Sequence, residues 1–219
     1  NSMKKIWILG YGEIGQSIAK FYKNPMIADK NECNFVEGMD IMHVCIPYSK
    51  DFEKIVLNYN KKYNPEYIII HSTVKVGTTS SLNKKLDGKV VHSPVRGVHP
   101  NLYEAIQVFV KYIGYDNIDT AIEIGKHFND LGIIFRAAYS KETELGKLLS
   151  TTYYGMCIAF HDYANKLCKK EGLDFDIVMT DFNSSYNEGY TKLNMKNVVR
   201  PVLYPPKGKI GGHCVIPNA

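Results

Sequence analysis

Three features of this sequence are spaced to do chemistry: a glycine cluster near the start, a lysine early in a long apolar-striped segment, and a cysteine near the end. Cys214 follows Gly211-Gly212-His213, after the run Pro205-Pro206-Lys207-Gly208-Lys209-Ile210, which is poor in helix and strand formers. A thiol among small residues is open to close approach by a substrate carbonyl. His213 beside it biases the thiol toward thiolate, the reactive form. The plainer alternative is a Gly-Gly turn that ends the fold, with the cysteine incidental. Lys147 lies one helical turn before Thr151. If its helix begins where a sheet ends, the amine faces the site and would polarise a substrate oxygen or steady an oxyanion. The alternative is a solvated helical lysine.

The glycine cluster is Gly10-Tyr11-Gly12-Glu13-Ile14-Gly15, a GxGxxG pattern. It follows the short apolar run Ile6-Trp7-Ile8-Leu9 and leads into helical spacing at Ile14, Ile18 and Phe21. Strand, glycine turn and helix form the context in which this pattern binds a dinucleotide. The first glycine permits the tight turn, the second lets backbone approach a pyrophosphate, and the third lets helix pack on strand. The helix start supplies unpaired N–H groups for phosphate. Met26-Ile27-Ala28-Asp29 reads as the next strand, and Asp29 stands close to the ~20-residue spacing of the acid that accepts from a ribose hydroxyl. Its charge opposes a 2′-phosphate and favours NAD over NADP, whereas Lys30 pulls the other way.

Strands and helices alternate through the first two thirds of the chain. Strands are expected at 41–46, 67–71, 90–92, 109–113 and 133–135, and helices at 52–59, 78–86 and 118–128. Such βα repetition with continuous apolar strands predicts a Rossmann-type, doubly wound α/β fold with a mainly parallel sheet covered on both faces. Ligands in such sheets lie beyond the carboxyl ends of the strands. Ile46-Pro47 and Ser72-Thr73 stand at two such ends and are candidate cofactor and substrate contacts, with turn capping as the alternative for the latter pair.

From Ser140 to Gly172 there is no proline, and Leu145, Leu148, Leu149, Thr152, Met156, Ala159, Phe160, Tyr163 and Leu167 give a helical apolar stripe. About 30 residues span roughly 45 Å. A second helix begins in 175–182, and loop follows Lys192. The expected division is a dinucleotide domain over 3–139 and a small all-helical domain over 140–219, with one long helix that organises substrate binding or a homodimer.

Composition narrows the function classes. The 219 residues carry a net charge of +5, with lysines scattered or in short pairs, which argues against a nucleic-acid surface and suits an anionic cofactor or small substrate. No apolar run approaches the ~20 residues of a membrane span, and no secretory signal is evident; Asn1-Ser2 before Met3 reads as a vector remnant. Five cysteines without CxxC spacing suggest a reduced, cytoplasmic setting and no metal site.

Several blocks together resemble the nucleotide-sugar dehydrogenases, the UDP-glucose and UDP-N-acetylmannosamine dehydrogenase family. Besides the glycine loop they are His71-Ser72-Thr73-Val74-Lys75-Val76-Gly77-Thr78-Thr79, Glu144-Leu145-Gly146-Lys147-Leu148, Thr152-Tyr153, Ile158-Ala159-Phe160 and Gly211-Gly212-His213-Cys214, in the family's order. The resemblance implies oxidation of a sugar alcohol to the aldehyde with NAD, attack by the cysteine to give a thiohemiacetal, a second hydride transfer to a thioester, and hydrolysis to the acid. It assigns the nucleophile to Cys214, oxyanion stabilisation to Lys147 and the holding of the hydrolytic water to Thr73, and it makes the long helix a dimer helix.

The sequence also departs from that pattern. Thr151 replaces the asparagine four residues after the lysine, Asn218 replaces an aspartate after the cysteine, and Val95 replaces a glutamate that serves as general base. The chain ends at Ala219, so the resemblance implies a shortened relative without the C-terminal UDP-binding domain. Three readings stay open: a four-electron nucleotide-sugar dehydrogenase, a two-electron dehydrogenase of the 6-phosphogluconate and hydroxyacid type, and an NAD-binding protein with a degenerate site.

Overall fold

A computed structural model describes residues 4–97 and 100–208. The chain divides into two compact units, 1–147 and 148–219. The division falls inside the long helix.

The first unit is built on one sheet. Its strands are β1 (Ile6–Leu9), β2 (Met26–Asp29), β3 (Glu32–Cys33), β4 (Ile41–Val44), β5 (Tyr67–Ile70), β6 (Val90–His92), β7 (Lys111–Tyr115) and β8 (Phe135–Tyr139). Their spatial order is β3-β2-β1-β4-β5-β6-β7-β8. Neighbours run parallel except at β2–β3 and β6–β7. The fold is α/β and Rossmann-type, and the strand order reverses at β1, between β2 and β4. Its helices are α1 (Glu13–Ala19), α2 (Phe52–Tyr63), α3 (Thr78–Leu86), α4 (Leu102–Val108), α5 (Ile118–Asp130) and the start of α6 (Ser140–Glu171).

Strand alternation makes two cores. Ile6, Ile8, Ile41, Ile69, Val91 and Ile113 face Ile18 of α1, Leu102 and Ile106 of α4, and Ile124 and Phe128 of α5. Trp7, Leu9, Met42, Val44, Ile68, Ile70 and Val90 face Phe52 and Val56 of α2 and Leu82 of α3. Successive side chains of one strand thus enter opposite layers, which is why these strands read as unbroken apolar runs. Trp7 is fully buried, stacked on Phe35 at 4.8 Å with Tyr63 edge-on at 5.0 Å. Its indole N–H has no hydrogen-bond partner among the described residues.

The second unit holds the rest of α6, a π-helical turn at Asp176–Asp181, and α7 (Phe182–Lys192). Asn187 on α7 fixes the following segment by exchanging hydrogen bonds with both backbone groups of Arg200, at 2.7 and 2.8 Å. The Arg200 guanidinium lies 3.7 Å from the Tyr186 ring centroid. No helix among the described residues is long and apolar enough to cross a membrane.

Two strand edges differ from the sequence expectation. The strand expected from Phe109 begins at Lys111, because α4 ends at Val108 and leaves Phe109 as its extended cap. The strand expected at 133–135 begins at Phe135, where it enters register with Lys111 of β7.

Candidate active site

The glycine loop is tied at its base. The Gly10 amide donates to the Ala28 carbonyl at 2.7 Å, and the Cys45 amide donates to the Leu9 carbonyl at 2.7 Å. The turn after β1 is thereby held between the ends of β2 and β4, at the switch point of the sheet. Gly10 has φ +95°, and a Cβ there would meet the Cys45 carbonyl at 2.9 Å. A Cβ on Gly15 would lie 1.9 Å from the Gly10 carbonyl oxygen. These two glycines are demanded by the chain's own packing. Gly12 is different: a Cβ there would meet nothing within 4 Å. The backbone at this exposed position is therefore open to approach from outside. A pyrophosphate resting on the bare backbone fits that space. Tyr11 and Glu13 are exposed and Ile14 half-buried around it.

Asp29 ends β2 in an exposed position directly opposite Glu32 of β3, with Lys30 exposed beside it. Two carboxylates at this edge suit ribose hydroxyls and disfavour an added phosphate. On the other side of the switch point, Ile46 is half-buried and Pro47 exposed after β4. The Ser72 hydroxyl donates to the Ile46 carbonyl. That side chain is buried and joins the loops after β4 and β5, while Thr73 beside it is half-exposed.

The first turns of α6 are locked onto this end of the sheet. Glu144 is fully buried and its carboxylate accepts from the amides of Gly77 and Thr79 and from the Thr79 hydroxyl, each at 3.0 Å. Burial pushes the Glu144 carboxyl above its usual range, and those three donors pull it back. Thr143 meets His92 Nδ1 at 2.8 Å, and the other ring nitrogen of His92 meets the Ser72 carbonyl at 3.1 Å. The latter contact makes Nε2 the protonated nitrogen, so Nδ1 accepts from the Thr143 hydroxyl, whose one proton is shared with the Ser140 carbonyl at 3.0 Å. Burial drives His92 down to about 3. Asp116, just past β7, accepts from Ser140 at 2.8 Å, Ser80 at 2.9 Å and Asn83 at 2.5 Å. Lys147 follows on the same helix, and its charge acts on both His92 and Lys111.

A second polar cluster lies beneath the strand ends, inside the layer formed by α1 and α5. The Tyr22 hydroxyl bridges His127 Nε2 at 2.6 Å and His43 Nε2 at 2.8 Å. His43 Nδ1 contacts His71 Nε2 at 2.7 Å. The buried Lys111 ammonium donates to the Ser93 carbonyl at 2.6 Å. Tyr22, His43, His71 and Lys111 line a cavity with room for about one water. Burial lowers His43 and His71 well below the ordinary imidazole value, His127 to about 4 and Lys111 to about 7. The same burial pushes the Cys45 thiol up to about 12, so it is inert.

The structure brings the glycine loop, Asp29, Lys30, Ile46, Pro47, Ser72, Thr73 and Lys147 into the first unit. Thr151 lies on α6 in the second unit. Cys214 and its Gly-Gly-His preface lie outside the described residues. Sequence reasoning missed Glu144 and His92 as organising groups, although Glu144 stood within a recognised block. It also missed the buried cluster, whose one signal was histidine within otherwise apolar strands.

No family model and no curated protein matches the chain. Solved structures do. The UDP-D-ManNAc dehydrogenase of Pyrococcus horikoshii aligns over 98% of this chain and 62% of its own, with TM-score 0.77 and 17% identity. The UDP-N-acetyl-mannosamine dehydrogenase of Staphylococcus aureus aligns over 96% and 63%, with TM-score 0.70 and 18% identity. This chain shares the fold of the aligned parts of those two structures. It spans less than two thirds of the length of those enzymes. The 3-hydroxyisobutyrate dehydrogenase of Mycobacterium tuberculosis also aligns, over 93% of this chain and 78% of its own, with TM-score 0.65 and 13% identity.

Proposed function

We propose that this protein is an NAD-dependent dehydrogenase that oxidises the primary alcohol of a nucleotide sugar. The observation that carries the reading is the glycine loop at the switch point of the sheet, in which packing demands Gly10 and Gly15 while the backbone at Gly12 stays open to approach. The residues present fit the cofactor. The 10–15 backbone would take the pyrophosphate, Asp29 the adenosine ribose, and the loops at Ile46-Pro47 and Ser72-Thr73 the nicotinamide half. NAD supplies the hydride acceptor. The Lys147 ammonium steadies the alkoxide from which hydride leaves and the oxyanions that follow. Cys214 adds to the aldehyde carbon, so that a second oxidation gives a thioester, and Thr73 holds the water that releases the acid. Overall, one alcohol, one water and two NAD+ would yield one carboxylate, two NADH and three protons.

A two-electron hydroxyacid-type oxidation is the second reading. Val95, a buried aliphatic residue at the place of the expected general base, favours it. It needs Lys147 but not Cys214, and it gives one NADH and a carbonyl product.

NADH stoichiometry across nucleotide sugars and hydroxy acids separates the two. Two NADH per turnover, lost in both Lys147→Ala and Cys214→Ser, is the expected result. One NADH with Cys214→Ser still active would establish the second reading. Tight NAD binding without turnover of any substrate would leave a binding protein.

A homodimer along α6 belongs to the same proposal. Leu145, Leu149, Tyr153, Met156, Phe160, Tyr163 and Leu167 are all exposed at spacings of three and four residues, which is one continuous apolar seam.

A further inference from the structure

We propose that Glu144 is the positioning residue of Lys147: its buried carboxylate clamps the start of α6 to the loop after β5 and so sets where the amine sits. The proposal rests on the dehydrogenase reading for its catalytic consequence, but not for its geometry.

Residues three apart on a helix share a side, one turn from each other. Glu144 and Lys147 are such a pair. A fully buried carboxylate is costly unless every lone pair is used. Here it takes two backbone amides, Gly77 and Thr79, and one hydroxyl, also of Thr79. All three donors belong to the turn that opens α3, a few residues beyond Ser72-Thr73. The loop that carries the candidate substrate contacts and the helix that carries the candidate oxyanion stabiliser are therefore joined through one side chain.

The residue before it repeats the connection to a second strand end. Thr143 donates to His92, and His92 donates to the Ser72 carbonyl. Space fixes the same turn from below: a Cβ on Gly114 of β7 would lie 2.1 Å from Thr143 Oγ1 and 3.0 Å from Ser140 Cα. Two neighbouring side chains and one missing side chain thus hold α6 in place. The small effect of Lys147 on the titration of His92 agrees with an amine within electrostatic reach of the end of β6.

A carboxylate that only stabilised the fold would, when replaced, lower melting temperature and leave the residual kinetics of folded protein alone. A positioning residue changes turnover in protein that is still folded. In Glu144→Gln the amide nitrogen takes the place of one carboxylate oxygen and faces the N–H of Gly77 or of Thr79, from which it cannot accept, so the turn shifts. We expect kcat to fall by about 100-fold, the scale of an ångström-sized misplacement, with NAD affinity by calorimetry within about twofold. Gly114→Ala keeps both carboxylate and lysine and should give a similar loss by steric displacement. Thr79→Val, which removes one donor of three, should give a smaller one.

A second readout is independent of turnover. With lysines reductively methylated using ¹³C-formaldehyde, the Lys147 resonance is assigned by its absence in Lys147→Arg. Loss of the buried negative charge should move its titration downward by about half a unit or more. Folded Glu144→Gln with wild-type kcat and an unmoved Lys147 titration would overturn the proposal. If Glu144→Gln does not fold, Thr79→Val and Gly114→Ala decide it on turnover: wild-type kcat in both folded variants overturns the proposal. Full activity in Lys147→Ala, or no wild-type turnover, would instead sink the dehydrogenase reading, and the lysine titration would still judge the clamp.

Discussion

Three buried imidazoles and one buried ammonium are an unusual load for one layer of a Rossmann sheet, and a fourth imidazole, His92, is buried on the other face. His43, His71, His92 and His127 all have folded values below the ~6.5 of an unfolded chain. The folded state therefore prefers them neutral. Their stabilisation is complete above pH 6.5 and is lost progressively as pH falls below it, with His127 surrendering near 4 and His92 near 3. Lys111 acts in the same direction higher up. Its folded value of about 7 lies below the unfolded ~10.4, so stability rises with pH between those limits. Urea midpoints measured between pH 6.5 and 5 should fall steeply, because ordinary carboxylates scarcely titrate there. His71→Leu should remove about one proton from that slope. A flat profile across this window would show that these rings are solvated rather than enclosed.

The glycine loop yields a prediction at the scale of an element, because its glycines answer to different masters. Gly15→Ala places a methyl on the Gly10 carbonyl and should destabilise the unit by about 3 kcal/mol or more, since strand and helix must part. Gly12→Ala meets no protein atom. It should leave the melting temperature nearly unchanged and still weaken NAD binding by at least about tenfold, seen by calorimetry. Equal affinity in Gly12→Ala would mean that no phosphate rests there. The alternation of β1, β2, β4 and β5 with their helices was legible because each strand is an apolar run and each helix an amphipathic one. The antiparallel hairpin partner β3, with just two residues, has no pattern to read. α4 was also hidden, because its seven residues bury only Leu102, Ala105 and Ile106. Glu144 was legible as part of a motif, but its task depends on where α3 begins in space, which spacing along the chain does not encode. The histidines showed only as polar residues within apolar strands, and their burial stayed unread, since burial of a polar side chain is decided by what packs over it.

At the scale of the molecule, α6 belongs to both units and carries the exposed seam. A protein with seven exposed large apolar side chains in one line should self-associate. Light scattering on the full chain is expected to give twice the chain mass of 24.9 kDa. Tyr153→Lys with Phe160→Lys should return it to a monomer without altering the far-ultraviolet helix signal. A wild-type monomer at high micromolar concentration would refute the dimer.

The sole tryptophan of the chain sits on β1, the strand that leads into the glycine turn, stacked on Phe35 with its N–H shut off from water. Its emission must therefore be blue and must redden only when the sheet itself opens. Nature has placed a single lamp in one room: loss of helix in 148–208 leaves the glow unchanged, so fluorescence and circular dichroism followed together will tell which half of the protein melts first.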